Sequence, residues 1–198
     1  MNPATKSEND PTHHEPARHW EDELADTIML PPQVWHEPGY NVFSYVKEGL
    51  LLGSLAGCTS LVANVIGSVL WPAISGEAQH PLRIIQVYLT FPLGDFALQL
   101  NSGFVLALGC LLYLTIGMLY GVLFVTAISY VLPHANLRAR LVACSILALL
   151  VWVINFYLIL SWLQPVLLEG RWIAELIPWW VAALTHLIFG WTIALAYR

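Results

Sequence analysis

Charge is scarce in this chain. Asp, Glu, Lys and Arg make up 11% of its 198 residues, where a soluble domain carries about 25%. Too few charged side chains are present to clothe a globular domain of this size in water. Such charge as there is gathers at one end. Glu8, Asp10, Glu15, Glu21, Asp22, Glu23, Asp26, Glu37 and Glu48 all lie in the first 48 residues, so the formal net charge of -5 describes that segment and not the rest.

Cysteine is equally sparse. Cys58, Cys110 and Cys144 each fall inside an apolar run, with no CxxC spacing and no even count to suggest a disulfide framework, which leaves them as small packing residues. The opening MNPATKSENDPTHHEP lacks the basic flank and apolar run of a signal peptide. There is no GxSxG, no HExxH, no phosphate-cradling glycine loop and no pair of carboxylates within an apolar run, so the chain is not expected to be an enzyme. The long apolar runs contain no Asp, Glu, Lys or Arg, the groups on which ion-coupled pumps and transporters depend. An acidic tail repels phosphates, so nucleic acid is excluded as a partner. No internal repeat of the inverted-transporter kind is present.

Apolar residues are abundant, at 58% with nine tryptophans. They are arranged in four runs, about 50–71, 104–130, 141–163 and 179–197, each near or above the roughly 20 residues that cross a hydrocarbon core of about 30 Å. Trp162, Trp172, Trp179, Trp180 and Tyr197 stand where interfacial aromatics anchor helix ends. The expected fold is an all-α integral membrane protein, a four-helix transmembrane bundle over 49–198. Ahead of it, residues 1–48 form a soluble acidic tail, disordered at its start, with one short amphipathic helix near 17–29 marked by Trp20, Leu24 and Ile28. Two shorter apolar stretches, 82–93 and the loop PVLLEGRWIAELIP, are too short to cross. They are expected to lie side by side at the interface as a lid.

Lys47, Arg138, Arg140 and Arg198 flank the spans on one side, against Arg83 and Arg171 on the other. The excess assigns both termini to the cytoplasm, with a bacterial inner membrane as the expected location.

Small residues recur at helical spacing. Gly49, Gly53 and Gly57 form one face of the first span, Gly109, Gly117 and Gly121 one face of the second, and Gly190 lies on a similar face of the fourth with Ala182, His186 and Ala194. In lipid no hydrophobic drive pulls helices together, so such faces are expected to form the seams of the bundle or to seat a partner's helix.

At about 1.5 Å rise per residue, Asn64, Asn155 and His186 each lie about 10–12 Å inside the same surface. They are expected to form a polar layer that fixes helix register, or one in which His186 relays a proton or holds a quinone-like headgroup. A haem held by two histidines within the chain is disfavoured, because His134 stands at the opposite surface. No cofactor or metal is expected, and His13, His14 and His19 read as exposed tail residues. On the outer side His80, Arg83 and Asp95 form a candidate docking cluster.

These features are those of a non-catalytic accessory or assembly subunit of a multi-subunit membrane complex, a respiratory one being a compatible setting, with membrane lipid and other membrane subunits as partners. The alternative is a small standalone carrier or channel built on Asn64, Asn155 and His186.

Overall fold

The computed structural model describes residues 42–75 and 83–197, which are helical almost throughout and contain no strand. The expected tail helix and His80 lie outside these residues. Four helices are long and apolar enough to cross a membrane. The first, α1 (Val42–Ser75), begins eight residues before the uncharged run. Lys47 and Glu48 therefore sit inside the helix and not before it, and the Lys47 ammonium lies 5.6 Å from the Phe43 ring centre, where an aromatic face tolerates it.

A shorter helix, α2 (Arg83–Leu93), follows, and then a 3-10 turn, Gly94–Gln99. Pro92 does not interrupt α2, because it falls in the last turn. The second long helix, α3 (Gly103–Val131), opens on Ser102, whose hydroxyl accepts from the Val105 amide, and Pro133 stands just past its end. The third expected span is one continuous rod. It consists of α4 (Leu137–Val153), capped by the Asn136 side chain, a π-helical stretch Ile154–Leu163, and α5 (Gln164–Leu168). A short α6 (Trp172–Leu176) and the last long helix α7 (Trp179–Ala196) complete the chain.

The long helices are neighbours in the order α3, α1, α7, α4. The α1–α3 seam is made of glycine on both sides. A Cβ on Gly53 would stand 2.6 Å from the Gly117 carbonyl oxygen and 2.8 Å from Met118 Cα, and one on Gly121 would overlap the Gly49 carbonyl and the Gly53 backbone. Gly57 faces Leu114 less tightly. On the other side, a Cβ on Gly190 of α7 would stand 2.8 Å from the Cys144 carbonyl of α4, and Trp191 Nε1 donates to Ser145 Oγ at 2.8 Å. The two pairs are joined by a hydroxyl contact between Thr59 and Thr192 at 2.9 Å, and by the edge-on Phe124–Phe189 pair at 5.5 Å. By contrast α3 and α4, though adjacent in sequence, touch little along their length.

Gly109 differs from the other glycines in its partner. Its close neighbours are Ile85 and Leu89 of α2, which lies over the upper part of α3. The face of α2 that carries Ile85, Gln86, Val87, Leu89 and Thr90 is buried, and Val87 packs with Phe156, Ile173, Ile177 and Ala182. The two short apolar stretches thus lie together over one end of the bundle. Two glutamines fasten them. Gln164 is fully buried; its Nε2 donates to Thr90 Oγ1 at 3.2 Å and its Oε1 accepts from the Ile173 amide at 3.3 Å. Gln86 Nε2 donates to the Leu100 carbonyl and to Asn101 Oδ1 at 2.7 and 2.6 Å.

Two outcomes follow from this packing. Gly121→Ala forces apart helices that have no room for a methyl and is expected to cost about 1–3 kcal/mol. Gly103→Ala, where a Cβ meets nothing within 4 Å, is expected to be neutral or mildly stabilising; thermal unfolding of the two detergent-solubilised variants beside the parent gives the comparison. Gln164→Leu leaves the Ile173 amide without its acceptor, a loss of about 1–3 kcal/mol. Its signature is faster hydrogen exchange at Ile173, with exchange in the α1–α3 seam unchanged.

Candidate functional site

The gap between α3 and α4 is a cavity of about 450 Å³ inside the bundle. Its back wall is supplied by α1 and α7 through Ser60, Thr185, His186 and Phe189, its sides by α3 and the π-helical stretch, and its roof by Tyr88, Phe91 and Pro92 of α2 and Ile173 of α6. Ile116, on the α3 edge of the gap, is 44% exposed, and Pro92 at the roof is exposed as well. The cavity therefore opens sideways, through the flank that a bilayer would cover.

A chain of hydrogen bonds crosses this space. The Tyr120 hydroxyl donates to Asn155 Oδ1 at 2.6 Å, which bridges α3 to the π-helical stretch where the backbones stand apart. Asn155 Nδ2 faces His186 Nε2 at 3.5 Å, the outer limit of a hydrogen bond. His186 Nδ1 lies 2.7 Å from the Ala182 carbonyl. A carbonyl oxygen only accepts, so Nδ1 carries the proton and, in the neutral ring, Nε2 presents a lone pair.

Asn64 belongs to a separate network. It is buried, and its Nδ2 donates to the Ser60 carbonyl and to the Tyr113 hydroxyl, both at 3.1 Å; Tyr113 and Ser60 are linked oxygen to oxygen at 2.9 Å, and Ser60 donates on to the Gly57 carbonyl. Asn64 Oδ1 is buried without a partner. The expected single layer is thus two networks. Asn155 and His186 meet, whereas Asn64 is tied to α3 by Tyr113 and does not line the cavity. From sequence Tyr113 is read only as part of the Gly109, Gly117 and Gly121 packing face, and Tyr120 is not singled out, because a tyrosine inside an apolar run reads as packing.

The π-helical stretch shapes this wall. A backbone bonded i to i+5 turns successive side chains onto different faces from an α-helix, and such stretches recur at functional sites, commonly as a single turn. Here the stretch spans ten residues, beginning one residue before Asn155, and Ser161 reaches the carbonyl five residues back, that of Phe156, at 2.7 Å.

No charged side chain lines the cavity. The roof phenol is neutral too, since burial, and then the neighbouring Tyr113 phenol, hold Tyr88 well above the usual tyrosine range. The Tyr88 and Tyr113 ring centres are 4.9 Å apart. The site therefore suits an uncharged molecule, with aromatic rings on several sides and a polar strip at the back.

Among the described residues no three His, Cys, Asp or Glu side chains gather to hold a metal. Of the outer candidates, Arg83 begins α2 and Asp95 is exposed in the 3-10 turn beyond it, with no ion pair between them, while His80 lies outside the described residues. In the other outer segment Arg171 pairs with Glu175 of its own turn at 3.6 Å, both exposed, a contact of little energetic weight.

No protein-family model matches the chain, and no curated protein or solved structure is similar to it.

Proposed function

We propose that the chain is a non-catalytic membrane protein that binds a lipid-soluble small molecule in the cleft between α3 and α4, and that it acts as a carrier or holding protein for that molecule. The observation that carries this reading is the cavity of about 450 Å³, within the roughly 300–1,000 Å³ of small-molecule sites. It joins an apolar lining to convergent polar groups, and its mouth lies on the lipid side. A helical bundle without a ligand ordinarily closes such a gap, because each unfilled contact forfeits dispersion energy.

The sequence offered the glycine faces as support for an accessory subunit of a larger complex. Gly49, Gly53, Gly117, Gly121 and Gly190 are occupied within the bundle itself, so that reading now leans on the acidic tail. With the termini on the cytoplasmic side, the orientation that the excess of flanking basic residues favours, the cleft belongs to the outer half of the bilayer and ligand enters by lateral diffusion.

Extraction of the full chain into polymer-bounded native lipid discs, followed by organic extraction and mass spectrometry, tests this. One lipid-soluble compound is expected at near 1:1 stoichiometry above the disc background. Ile116→Trp, which plugs the mouth from an exposed position and leaves the seams untouched, is expected to lower its occupancy at least tenfold with no loss of thermal stability. A compound retained equally by both proteins, or none enriched in either, overturns the reading.

A further inference from the structure

The polar strip says what kind of group the ligand carries, and the inference rests on the binding reading above. His186 Nδ1 is committed to the Ala182 carbonyl, so the free nitrogen of the neutral ring, Nε2, is an acceptor. Its neighbour is Asn155 Nδ2, a donor, and the two stand 3.5 Å apart. Asn155 has a second amide hydrogen, because its oxygen is the atom engaged by Tyr120. Side by side on the cavity wall there are thus a lone pair weakly satisfied and an N–H unclaimed.

We propose that the ligand is an uncharged, lipid-soluble hydroxyl compound whose O–H donates to His186 Nε2 while its oxygen accepts from Asn155 Nδ2. One oxygen at ordinary hydrogen-bond distance, about 2.8–3.0 Å, from both atoms fits the 3.5 Å spacing between them. A ketone or ester carbonyl answers only the Asn155 hydrogen and leaves Nε2 facing another acceptor. A carboxylate, phosphate or ammonium group would give up its hydration to a wall with no counter-charge. The hydroxyl satisfies both groups at once. The rings of Tyr88, Phe91, Tyr113, Phe124 and Phe189 around the rest of the cavity favour a hydroxyl borne on a planar ring over one on an aliphatic chain.

The experiment uses the full chain in lipid discs and three probes: 4-octylphenol, its methyl ether, and 1-dodecanol. Binding is read for the parent and for Asn155→Leu, and the parent-to-variant ratio cancels the different partitioning of each probe into lipid. The phenol is expected to bind the parent about tenfold more tightly than the variant, a difference of 1.4 kcal/mol, and the ether, whose oxygen accepts weakly from Asn155 and has no hydrogen for His186, to show a clearly smaller ratio. Whichever of phenol and dodecanol has the larger ratio names the source of the hydroxyl.

A second readout does not depend on the variant folding. In protein labelled with nitrogen-15 histidine, the bare Nε2 of His186 is expected to shift toward the hydrogen-bonded range with phenol and to stay still with ether. If phenol and ether behave alike in both readouts while Ile116→Trp blocks both, the hydroxyl assignment falls and the cleft reading stands. Failure of all three probes to bind folded parent protein overturns both.

Discussion

The glycine contact between α1 and α3 is the constraint on which the rest of the bundle depends. Helices immersed in hydrocarbon gain nothing from hiding apolar surface, so they adhere where backbones approach closely enough for dense van der Waals contact. Gly49 and Gly53 meet Gly117 and Gly121 at distances that leave no room for a methyl group. The small face of α3 is thereby used on α1. What α3 turns toward α4 is a set of large side chains, Ile116, Tyr120 and Phe124 among them, which hold α4 away. That helix instead docks on α7 through Gly190, Cys144 and Ala148. Two tight pairs and one loose boundary follow from where the glycines lie, and the cavity is the loose boundary.

Polar groups then stabilise what the packing leaves open. In a medium without water an unpaired hydroxyl or amide is costly, so each tends to find a partner across the gap. Tyr120 reaches Asn155 over the space that the backbones do not close, and Tyr113 ties α3 to α1 through Ser60 and Asn64. Tyr120 serves as a spacer with a polar tip across the gap, while Tyr113 closes its back against α1. The roof is held in the same manner. Gln164 and Gln86 each place an amide where a loop would otherwise bury unsatisfied backbone. A roof fastened by buried amides, above a wall open beside Ile116, leaves the cavity covered at its end and open at its flank.

Much of the fold was legible because the bilayer imposes a length rule. An uncharged run long enough to cross stands out in sequence whatever it packs against, and 104–130 against Gly103–Val131 is an offset of one residue at each end. The starts of α1 and α4 were read late, since Lys47, Arg138 and Arg140 break the run while leaving the helix intact. Glycine spacing located the seams yet not their partners: Gly109 shares a face with Gly117 but meets the roof helix α2. Depth arithmetic brought Asn155 to His186, because rise along an axis depends little on winding. It could not exclude Asn64 from that group, because which face a residue occupies depends on neighbours, and Tyr113 intervenes. The π-helical stretch carries no proline or glycine to announce it, and Gln164 falls between the third run and the loop that begins at Pro165, where nothing in the sequence marks it as buried.

The winding of that stretch and the looseness of the α3–α4 boundary are one fact seen twice. An α-helix pressed on both sides keeps its regular bonding, because a widened turn would clash with its neighbours. The stretch from Ile154 to Leu163 packs on the roof segment Trp172–Leu176 and touches α3 little, so it has room to widen. Widening in turn aims Asn155 at both Tyr120 and His186, two partners on different helices. Were α3 and α4 to close, the stretch would have to rewind and Asn155 would lose one of them. The open gap, the unusual backbone and the polar strip therefore support one another, and a molecule filling the gap would stabilise all three together.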